Sequence, residues 1–290
     1  MKLTVDRAAG QLLPESAADA RLRGWASLAL AAADPRAIAR CGSAYLRNVR
    51  RRRRYRTLSE EELRATRSSD TVFVLGSGRS ILDITEAQWE RIARFNTVSF
   101  SEFPRQSLVR ADYHVVGEVG FIEEHARILR DNPLYENAVL VLQRGWLADD
   151  SNNLVGRGLI RPGAQIFRYD RVSRGRYSPP SRSFGSGLVH GWNSSISVLN
   201  FCVIMGWRRI VLTGIDLYNK GYFWLGEGEV RAIERPGTTA DTPFPSGPLV
   251  TSMIGRWREI LEPEGVDVLV YNPRSLLAQV LDVFEWDEGA

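Results

Sequence analysis

Short apolar runs rich in β-branched and aromatic residues recur from residue 71 onward, and helical segments fit between them. The runs occupy residues 71–75, 97–100, 113–116, 138–142, 209–213 and 266–270. Continuous apolar runs of this length are typical of strands that are buried on both faces. The intervening segments favour helices, notably over 121–130, 194–205 and 249–261. This alternation predicts an α/β, Rossmann-like fold with a mainly parallel sheet and helices on both faces.

The residues before this pattern have a different composition. From Arg21 to Arg56 there are eleven arginines and a single acidic residue, Asp34. An alanine- and leucine-rich helix is predicted over 16–34, and a second helix is predicted from Pro35 to about Leu46, because proline suits a first helical position. We therefore divide the chain into a helical, arginine-rich N-terminal appendage, 1–68, and a Rossmann-like nucleotide-sugar-binding domain, 69–290.

The basic run that begins at Arg50 and ends at Arg56 has three interpretations. An anionic membrane surface attracts such a cluster by about 1 kcal/mol per basic side chain. Nucleic acid offers the same charge and is the less favoured partner, and a solvated linker is the alternative without a partner. After this run, Ser59 and Glu62 have the spacing of a capping box, which predicts the start of a short helix.

Composition limits the cellular setting. The chain has 290 residues, of which 44% are hydrophobic, and no apolar run is long enough to span a bilayer. Its start lacks the apolar stretch of a secretory signal, so a cytoplasmic location is expected, with peripheral attachment to the inner membrane face as an option. The two cysteines, Cys41 and Cys202, predict neither a disulfide framework nor a zinc site.

A glycine-rich turn, Gly76-Ser77-Gly78-Arg79-Ser80, follows the first long strand. Such a turn at the start of a helix directs backbone N–H groups toward an anion. The dinucleotide pattern Gly-x-Gly-x-x-Gly is incomplete because residue 81 is Ile, and no acidic residue ends the next strand. A mononucleotide phosphate site is therefore favoured over an NAD site, and a purely structural tight turn remains the alternative.

Two further segments carry polar groups next to predicted strands or helices. Asn193 or Ser194 is placed to cap the helix over 194–205, which puts hydroxyl and amide groups at its positive end. Asp216 and Tyr218 follow the strand over 209–213, and parallel sheets bind ligands at the carboxyl ends of their strands. Helix capping alone, or a buried polar anchor, would explain the same residues.

Two long interruptions, 171–187 and 219–248, are rich in Gly, Pro, Ser or Thr. Loops of this length inside a compact domain are usually functional lids or disordered segments, and we predict that 219–248 is a lid loop. The arginines between Arg168 and Arg182 could recognise the carboxylate of an acidic sugar, or could belong to a solvated loop.

Three separated blocks together resemble a known family. They are the glycine turn with its strand, the segment from Ser194 to Tyr218, and Tyr271-Asn272-Pro273-Arg274-Ser275 with the residues after it. In type, order and spacing they are similar to the bacterial sialyltransferases of glycosyltransferase family 42. They are also similar to the related domain of archaeal 6-hydroxymethylpterin diphosphokinases and flagellin-modifying transferases. The similarity covers roughly residues 71–284.

The resemblance implies a CMP-linked sugar as donor substrate, no other cofactor and no metal. It implies that the CMP phosphate lies against the glycine turn. It also implies that Tyr218 donates a hydrogen bond to the leaving phosphate and that Tyr222 corresponds to the family's second tyrosine. Ser101 stands where the family has an asparagine that helps to hold the nucleotide. The other positions that it implies for nucleotide or sugar contacts are Asn193, Ser194, Ser195, Asp216, Asn272 and Pro273.

One departure from the family concerns the general base. The family's histidine follows a glycine shortly before the penultimate helix, and Pro248 occupies that place here. The candidates that remain are His190, which lies next to a site block, and Asp241 in the predicted lid loop. Base, acceptor, linkage and oligomeric state are therefore left open.

Three functional hypotheses follow. The first is a glycosyltransferase that moves an acidic sugar, of the sialic acid or 3-deoxy-octulosonate type, from CMP to a glycan or lipid-linked acceptor in polysaccharide or glycoconjugate assembly. The second is a diphosphokinase of the 6-hydroxymethylpterin type that uses ATP and Mg²⁺, although no clear carboxylate pair is visible. The third is a non-catalytic nucleotide-binding module.

Overall fold

A computed structural model describes residues 35–117, 119, 121–173, 178–218, 221–226 and 243–286. Within them, nine strands form one parallel sheet and two short strands form a second. The strands are β1 (Arg56–Thr57), β2 (Thr71–Leu75), β3 (Asn96–Phe100), β4 (Tyr113–Val116), β5 (Val139–Gln143), β6 (Gln165–Tyr169), β7 (Arg171–Ser173), β8 (Leu188–His190), β9 (Arg209–Thr213), β10 (Asp267–Val270) and β11 (Asp282–Val283). The helices are α1 (Pro35–Arg51), α2 (Glu60–Ala65), α3 (Glu86–Ile92), α4 (Ile122–Asp131), α5 (Asp149–Gly156), α6 (Ser194–Met205) and α7 (Gly247–Leu261).

The large sheet has the strand order β1-β6-β5-β4-β3-β2-β9-β10-β11, and all of its neighbours pair in parallel. From β2 the chain adds strands toward one edge as far as β6. It then returns to place β9 on the other side of β2 and continues to β11 at the opposite edge. The order therefore reverses between β2 and β9, and such a switch point opens a crevice at the carboxyl ends of the two strands.

Both faces of this sheet are covered, which explains why its central strands are rich in apolar residues on both faces. Val72 and Val74 of β2 lie in a core cluster with residues of α2, α6 and α7, whereas Phe73 and Leu75 pack on the opposite face with α3. Further along that face, Leu140 and Leu142 pack with residues of α5. Helices therefore lie on both faces of a parallel sheet, and the predicted α/β, Rossmann-like fold class is confirmed.

Residues 35–68, which the sequence assigns to the N-terminal appendage, contribute α1, β1 and α2 to these layers. β1 pairs with β6 at one edge of the sheet, and Leu63 of α2 is part of the core. The predicted second helix is confirmed and continues five residues beyond Leu46, so that the basic run begins inside it. The helix predicted over 16–34 lies outside the described residues. The division of the chain at residue 68 stays a prediction.

Helix α1 packs closely against α5. At Gly156, a Cβ atom would meet the backbone nitrogen of Asn48 at 2.7 Å, so only glycine permits this approach. Cys41, Ala44 and Asn48 form the buried face of α1. This packing fixes which face of α1 is left for solvent or a partner.

Within the described residues, the predicted strands are present with boundaries shifted by one residue at most, and the helices predicted over 121–130, 194–205 and 249–261 are shifted by at most two. The capping box of Ser59 and Glu62 is confirmed at the start of α2. Sequence patterning missed α5, β1, β6, β7, β8 and β11. Cys41 and Cys202 are both buried, each as a free thiol. Among the described helices, none has the length and apolar character needed to cross a membrane.

Candidate functional site

The glycine turn lies against the segment that follows β9, at the switch point of the sheet. The Gly76 amide donates to the Thr213 carbonyl over 2.8 Å, and the Gly78 amide donates to the Gly214 carbonyl over 2.7 Å. A Cβ on Gly76 would meet the Gly214 oxygen at 2.5 Å. The first glycines of the motif are therefore needed for close packing between two segments of the protein itself.

Asp216 lies at the centre of this crevice and is only 7% exposed. Its carboxylate accepts the Ser80 amide over 3.0 Å and the Ser80 hydroxyl over 2.5 Å. It also accepts the side-chain amide of Asn272 over 3.2 Å. A Cβ on Gly78 would meet the same carboxylate at 2.5 Å. Asp216 thus joins the turns after β2, β9 and β10, which corresponds to the buried polar anchor foreseen as one of its two roles.

One N–H group of the turn, the Ser77 amide, has no hydrogen-bond acceptor among the described residues. The antiparallel bridge between Gly78 and Tyr222 directs the Arg79 amide toward the protein's own backbone at Gly221. The Ser77 hydroxyl accepts the Glu102 amide over 3.0 Å, which ties the turn to the end of β3. Ser101, the residue before Glu102, adopts a left-handed backbone conformation with φ of 55°. The donors left for an anion are therefore fewer than the sequence motif indicates.

The helix expected directly after the turn differs from the prediction. Arg79–Asp83 forms a short 3₁₀ helix, and the α-helix α3 begins only at Glu86, with Thr85 as its N-cap. Five residues of 3₁₀ helix give a much weaker aligned dipole than a full α-helix. Any anion at this turn would depend on individual N–H groups rather than on a long helix dipole.

A longer helix, α6, also begins at the carboxyl edge of the sheet. Asn193 is its N-cap and accepts the Ser195 amide over 3.0 Å and the Ser195 hydroxyl over 2.5 Å. A Cβ on Gly117, just beyond β4, would meet the Ser194 hydroxyl at 2.6 Å. Ser194 is thus placed beside the end of β4, whereas Asn193 and Ser195 are occupied with capping.

His190 ends β8 and leads into this helix. Its Nδ1 lies 2.9 Å from the Ser197 hydroxyl, on the first turn of α6. If Nδ1 carries the ring proton, it donates a hydrogen bond to the Ser197 hydroxyl. Nε2 then has the lone pair that a general base needs in order to accept a proton. Of the two candidates for the general base, His190 lies beside the N-terminus of α6. The other candidate, Asp241, lies outside the described residues.

The segment after β9 brings both candidate tyrosines to the same edge. Tyr218 forms an antiparallel bridge with Pro243, and Tyr222 bridges Gly78 of the glycine turn. Leu217 has a φ of 60°, which is unusual for a branched side chain and marks a sharp turn before Tyr218. The backbone thus returns to the glycine turn at Tyr222, six residues after Asp216.

Aromatic contacts that sequence reasoning missed support this segment. The Tyr222 and Trp224 rings stack at 5.7 Å, and Arg105 lies 4.4 Å from the centre of the Trp224 ring. The Arg105 guanidinium binds Glu102 at 2.9 Å and Glu124 at 2.8 Å. In the sequence, Arg105 belongs to a Glu-Phe-Pro-Arg segment shortly after β3. This segment matches no known motif, so sequence reasoning did not single out Arg105. These contacts fix Tyr222 relative to the ends of β2 and β3.

The remaining predicted residues follow β10. Asn272 contacts Asp216, as described, and its side-chain oxygen accepts the Arg274 amide over 3.0 Å. Pro273 is exposed at the edge of the sheet. Among the described residues, no group of three or more His, Cys, Asp or Glu side chains is arranged to hold a metal ion.

Two other histidines form a buried pair away from this edge. His114 of β4 and His125 of α4 are 0% and 2% exposed, and their Nε2 atoms lie 3.2 Å apart. Ser99 donates to the Tyr113 carbonyl, so His114 Nδ1–H donates to Ser99 and His125 Nε2–H donates to His114. This leaves His125 Nδ1 as a buried acceptor without a partner among the described residues.

Both imidazoles of this pair are held neutral. Burial lowers the pKa of His114 well below 6.5, and the neighbouring His125 lowers it further. Burial lowers the pKa of His125 to about 4, against the opposing effect of Glu102. The pair is sealed from solvent and is therefore a structural feature rather than a source of protons for a ligand.

No family model matches the chain, and no curated protein matches it. Among solved structures, the chain is similar to the crystal structure of a variant of the sialyltransferase CST-II in complex with CMP. The two chains are 14% identical, with a TM-score of 0.43, over 73% of this chain and 85% of that chain. The fold assignment made above rests on the sheet and its topology.

Proposed function

We propose that the protein is a glycosyltransferase that binds the nucleotide of a CMP-linked acidic sugar at the carboxyl edge of the sheet. The donor sugar is of the sialic acid or 3-deoxy-octulosonate type, and the acceptor is a glycan or a lipid-linked glycan of polysaccharide or glycoconjugate assembly. Asp216, Tyr218 and Tyr222 follow β9, the glycine turn follows β2, and Asn272 follows β10. One observation carries the proposal: these groups meet at the switch point between β2 and β9.

The donors available at this edge suit a monophosphate. The unpartnered amide of Ser77 lies on one side, and the N-terminus of the 12-residue helix α6 with the Ser194 hydroxyl lies near the end of β4. N–H groups at a helix start and a hydroxyl stabilise a phosphate without a metal ion. Tyr218 and Tyr222 add phenol groups that can donate to the phosphate oxygens.

The reaction needs one base and one stabilised leaving group. The acceptor hydroxyl attacks the anomeric carbon of the sugar, a new C–O bond forms, and the bond from that carbon to the CMP phosphate oxygen breaks. The electron pair leaves on CMP, and the base takes the hydroxyl proton. His190, oriented by Ser197, is our candidate within the described residues, and Asp241 is the second candidate.

The N-terminal region suits a role at a membrane surface. Arg50, Arg52, Arg53 and Arg54 are exposed and have no partner among the described residues. No acidic residue occurs between Pro35 and Ser59. A run from Arg50 to Arg56 that is attracted to anionic lipid would bring the enzyme close to lipid-linked acceptors.

Thermal-shift measurements with CMP, CDP, UDP, ATP with Mg²⁺, and NAD test the nucleotide. A ligand that binds only the folded state raises the midpoint of unfolding, so we expect stabilisation by CMP and CDP. A response confined to ATP with Mg²⁺ would replace the proposal with the diphosphokinase. A transfer assay with CMP-sialic acid and CMP-3-deoxy-octulosonate tests the chemistry, and CMP binding without hydrolysis or transfer would indicate the non-catalytic module.

Ser194→Ala is the variant that tests the phosphate contact. Loss of one hydrogen bond to a charged group corresponds to about 1.4 kcal/mol, or about a tenfold weaker CMP affinity. Ser43→Ala on α1 removes an exposed hydroxyl far from the site and serves as the matched control. Equal CMP affinity in both variants would remove Ser194 from the site.

A further inference from the structure

Arg168 occupies an unusual position at the carboxyl end of β6. Its Nη1 donates to the side-chain oxygen of Asn48 over 3.0 Å, and Asn48 is 1% exposed. The Asn48 amide in turn donates to Asn152 of α5 over 2.5 Å. The guanidinium is therefore held in a defined place between α1 and the sheet, on the face that α5 covers.

This guanidinium has no counter-charge. Among the described residues, no carboxylate lies within ion-pairing distance of Arg168. Its Nε is buried and has no hydrogen-bond partner. Buried charged groups in proteins are normally paired and fully hydrogen-bonded, because desolvation without compensation is costly. A cation held in this way needs an anion that the described residues do not supply.

Two further arginines converge on the same place. Arg144, beyond β5, donates through Nη2 to the Arg168 carbonyl over 3.0 Å. Arg52, in the turn after α1, is exposed and has no side-chain partner among the described residues. Burial lowers the pKa of Arg168, and the charges of Arg144 and Arg52 lower it further. The exposed Asp170, 3.5 Å from Arg144, offsets part of this excess of positive charge.

We propose that Arg168, Arg52 and Arg144 form an anion site that binds a phosphate group. A guanidinium presents paired N–H donors that match two phosphate oxygens, so the terminal nitrogens of Arg168 form the floor of the site. The site lies four strands from the glycine turn, or about 19 Å at the usual strand spacing. It is separate from the proposed nucleotide site and does not depend on it.

The phosphate group can belong to a lipid headgroup or to a soluble phosphate ester. The solvent side of α1 carries Ile38, Tyr45, Leu46 and Val49, all of them exposed. Exposed apolar side chains next to arginines are typical of helices that lie in a membrane interface. This observation favours a headgroup, and the experiment separates the two sources.

Inorganic phosphate is the first probe, tested on the full chain against sodium chloride at equal ionic strength. Phosphate at about 100 times its dissociation constant should raise the unfolding midpoint by about 5 °C beyond the chloride effect. Arg168→Gln should abolish this shift and leave the shift caused by CMP unchanged. Arg52→Gln, at an exposed position, should weaken phosphate binding without affecting the fold.

Arg110→Gln is the matched control, because Arg110 pairs with Asp112 just before β4, at the amino ends of the strands. It removes the same charge and should leave the phosphate shift as in the wild type. A phosphate shift that is absent in the wild type, or equal in the wild type and Arg168→Gln, would overturn the proposal.

Co-sedimentation with phosphatidylglycerol vesicles, and with phosphatidylcholine vesicles as the neutral reference, identifies the source. Binding to anionic vesicles that falls at least fivefold in Arg168→Gln and not in Arg110→Gln supports a headgroup. A phosphate shift without vesicle binding supports a soluble phosphate ester in the same site. Vesicle binding that is equal in the wild type and Arg168→Gln, with no phosphate shift, contradicts the site.

Discussion

Two regions at the carboxyl edge of the same sheet treat charge in opposite ways. Between β2 and β9, the negative charge of Asp216 is buried and its carboxylate receives hydrogen bonds from Ser80 and Asn272. Beside β6, the positive charge of Arg168 is held by Asn48 and has no carboxylate partner among the described residues. The first region supplies hydrogen-bond donors to its own buried carboxylate. The second region holds a guanidinium for which the described residues supply no anion.

This difference shows what a glycine-rich motif does and does not indicate. Gly76 and Gly78 are needed because the segment after β9 approaches them closely, which holds whether or not a ligand binds. The excess of positive charge beside β6 has no such internal explanation. The uncompensated charge of Arg168 is therefore more direct evidence for a ligand than the glycine turn is. The glycine turn is nevertheless the feature that is easier to recognise in the sequence.

The largest expected effect comes from Asp216→Ala. This change leaves the Ser80 amide, the Ser80 hydroxyl and the Asn272 amide without their acceptor in a buried crevice. We expect the free energy of unfolding to fall by about 4 kcal/mol, since hydrogen bonds to a charged group are each worth about 1.5–3 kcal/mol and some relaxation follows. Denaturant titration measures the change. Asp83→Ala removes an exposed carboxylate paired with Arg274 and should cost less than about 1 kcal/mol.

If Asp216→Ala lowered the free energy of unfolding by less than about 1 kcal/mol, the Asp216 carboxylate would not be needed to stabilise the crevice. The contrast with the region beside β6 would then disappear. Arg168→Gln, measured in the same way without phosphate, should leave stability unchanged or raise it, because it removes an uncompensated charge.

Gly78→Ala tests the close approach in the central region. The new methyl group would meet the Asp216 carboxylate at 2.5 Å and the Gly214 oxygen at 2.8 Å. Overpacking of this kind should lower the free energy of unfolding by about 2–3 kcal/mol. Gly42→Ala on α1, where nothing lies within 4 Å of a Cβ, should instead raise stability by about 0.5–1 kcal/mol, because alanine favours a helix. A loss in both variants would contradict this account.

Acidification tests the region between these two, where His114 and His125 lie buried. The pKa of His125 in the folded state is about 4 because of burial, compared with about 6.5 in an unfolded chain. Between these two pKa values the unfolded state binds more protons than the folded state. The free energy of unfolding is therefore highest near pH 7 and falls as the pH is lowered toward 4. His125 alone should cost about 2 kcal/mol between pH 7 and pH 5.

Denaturant titrations at several pH values measure this loss, and His125→Leu should flatten the profile. A stability that is independent of pH between 7 and 5 would mean that the pair is accessible to protons in the folded state. Ligand comparisons between the two regions are accordingly best made at pH 7 or above.

Much of the fold could be predicted because its central strands are buried on both faces. The runs that form β2, β4 and β9 are mostly apolar and β-branched or aromatic, so their pattern needs little tertiary information. In β6 the apolar run is interrupted by Arg168, and α5 buries Ser151 and Asn152, so neither element has a clear hydrophobic pattern. Both are stabilised by the contact with α1, which is distant in sequence.

The candidate site was predictable in its parts and not in their connections. Strand ends and the N-cap at Asn193 follow from local patterns, and they are found at the same edge. The bonds between Asp216 and Ser80 join residues 136 positions apart and leave only part of the glycine turn available. The 3₁₀ helix after the turn also depends on this contact rather than on local propensity.

The most direct test of the account is the position of CMP in crystals of the protein. We predict that its phosphate lies within hydrogen-bond distance of the Ser77 amide or of the Ser194 hydroxyl, at the switch point between β2 and β9. A central crevice that stays unchanged from its unliganded state in crystals soaked with CMP would contradict the account.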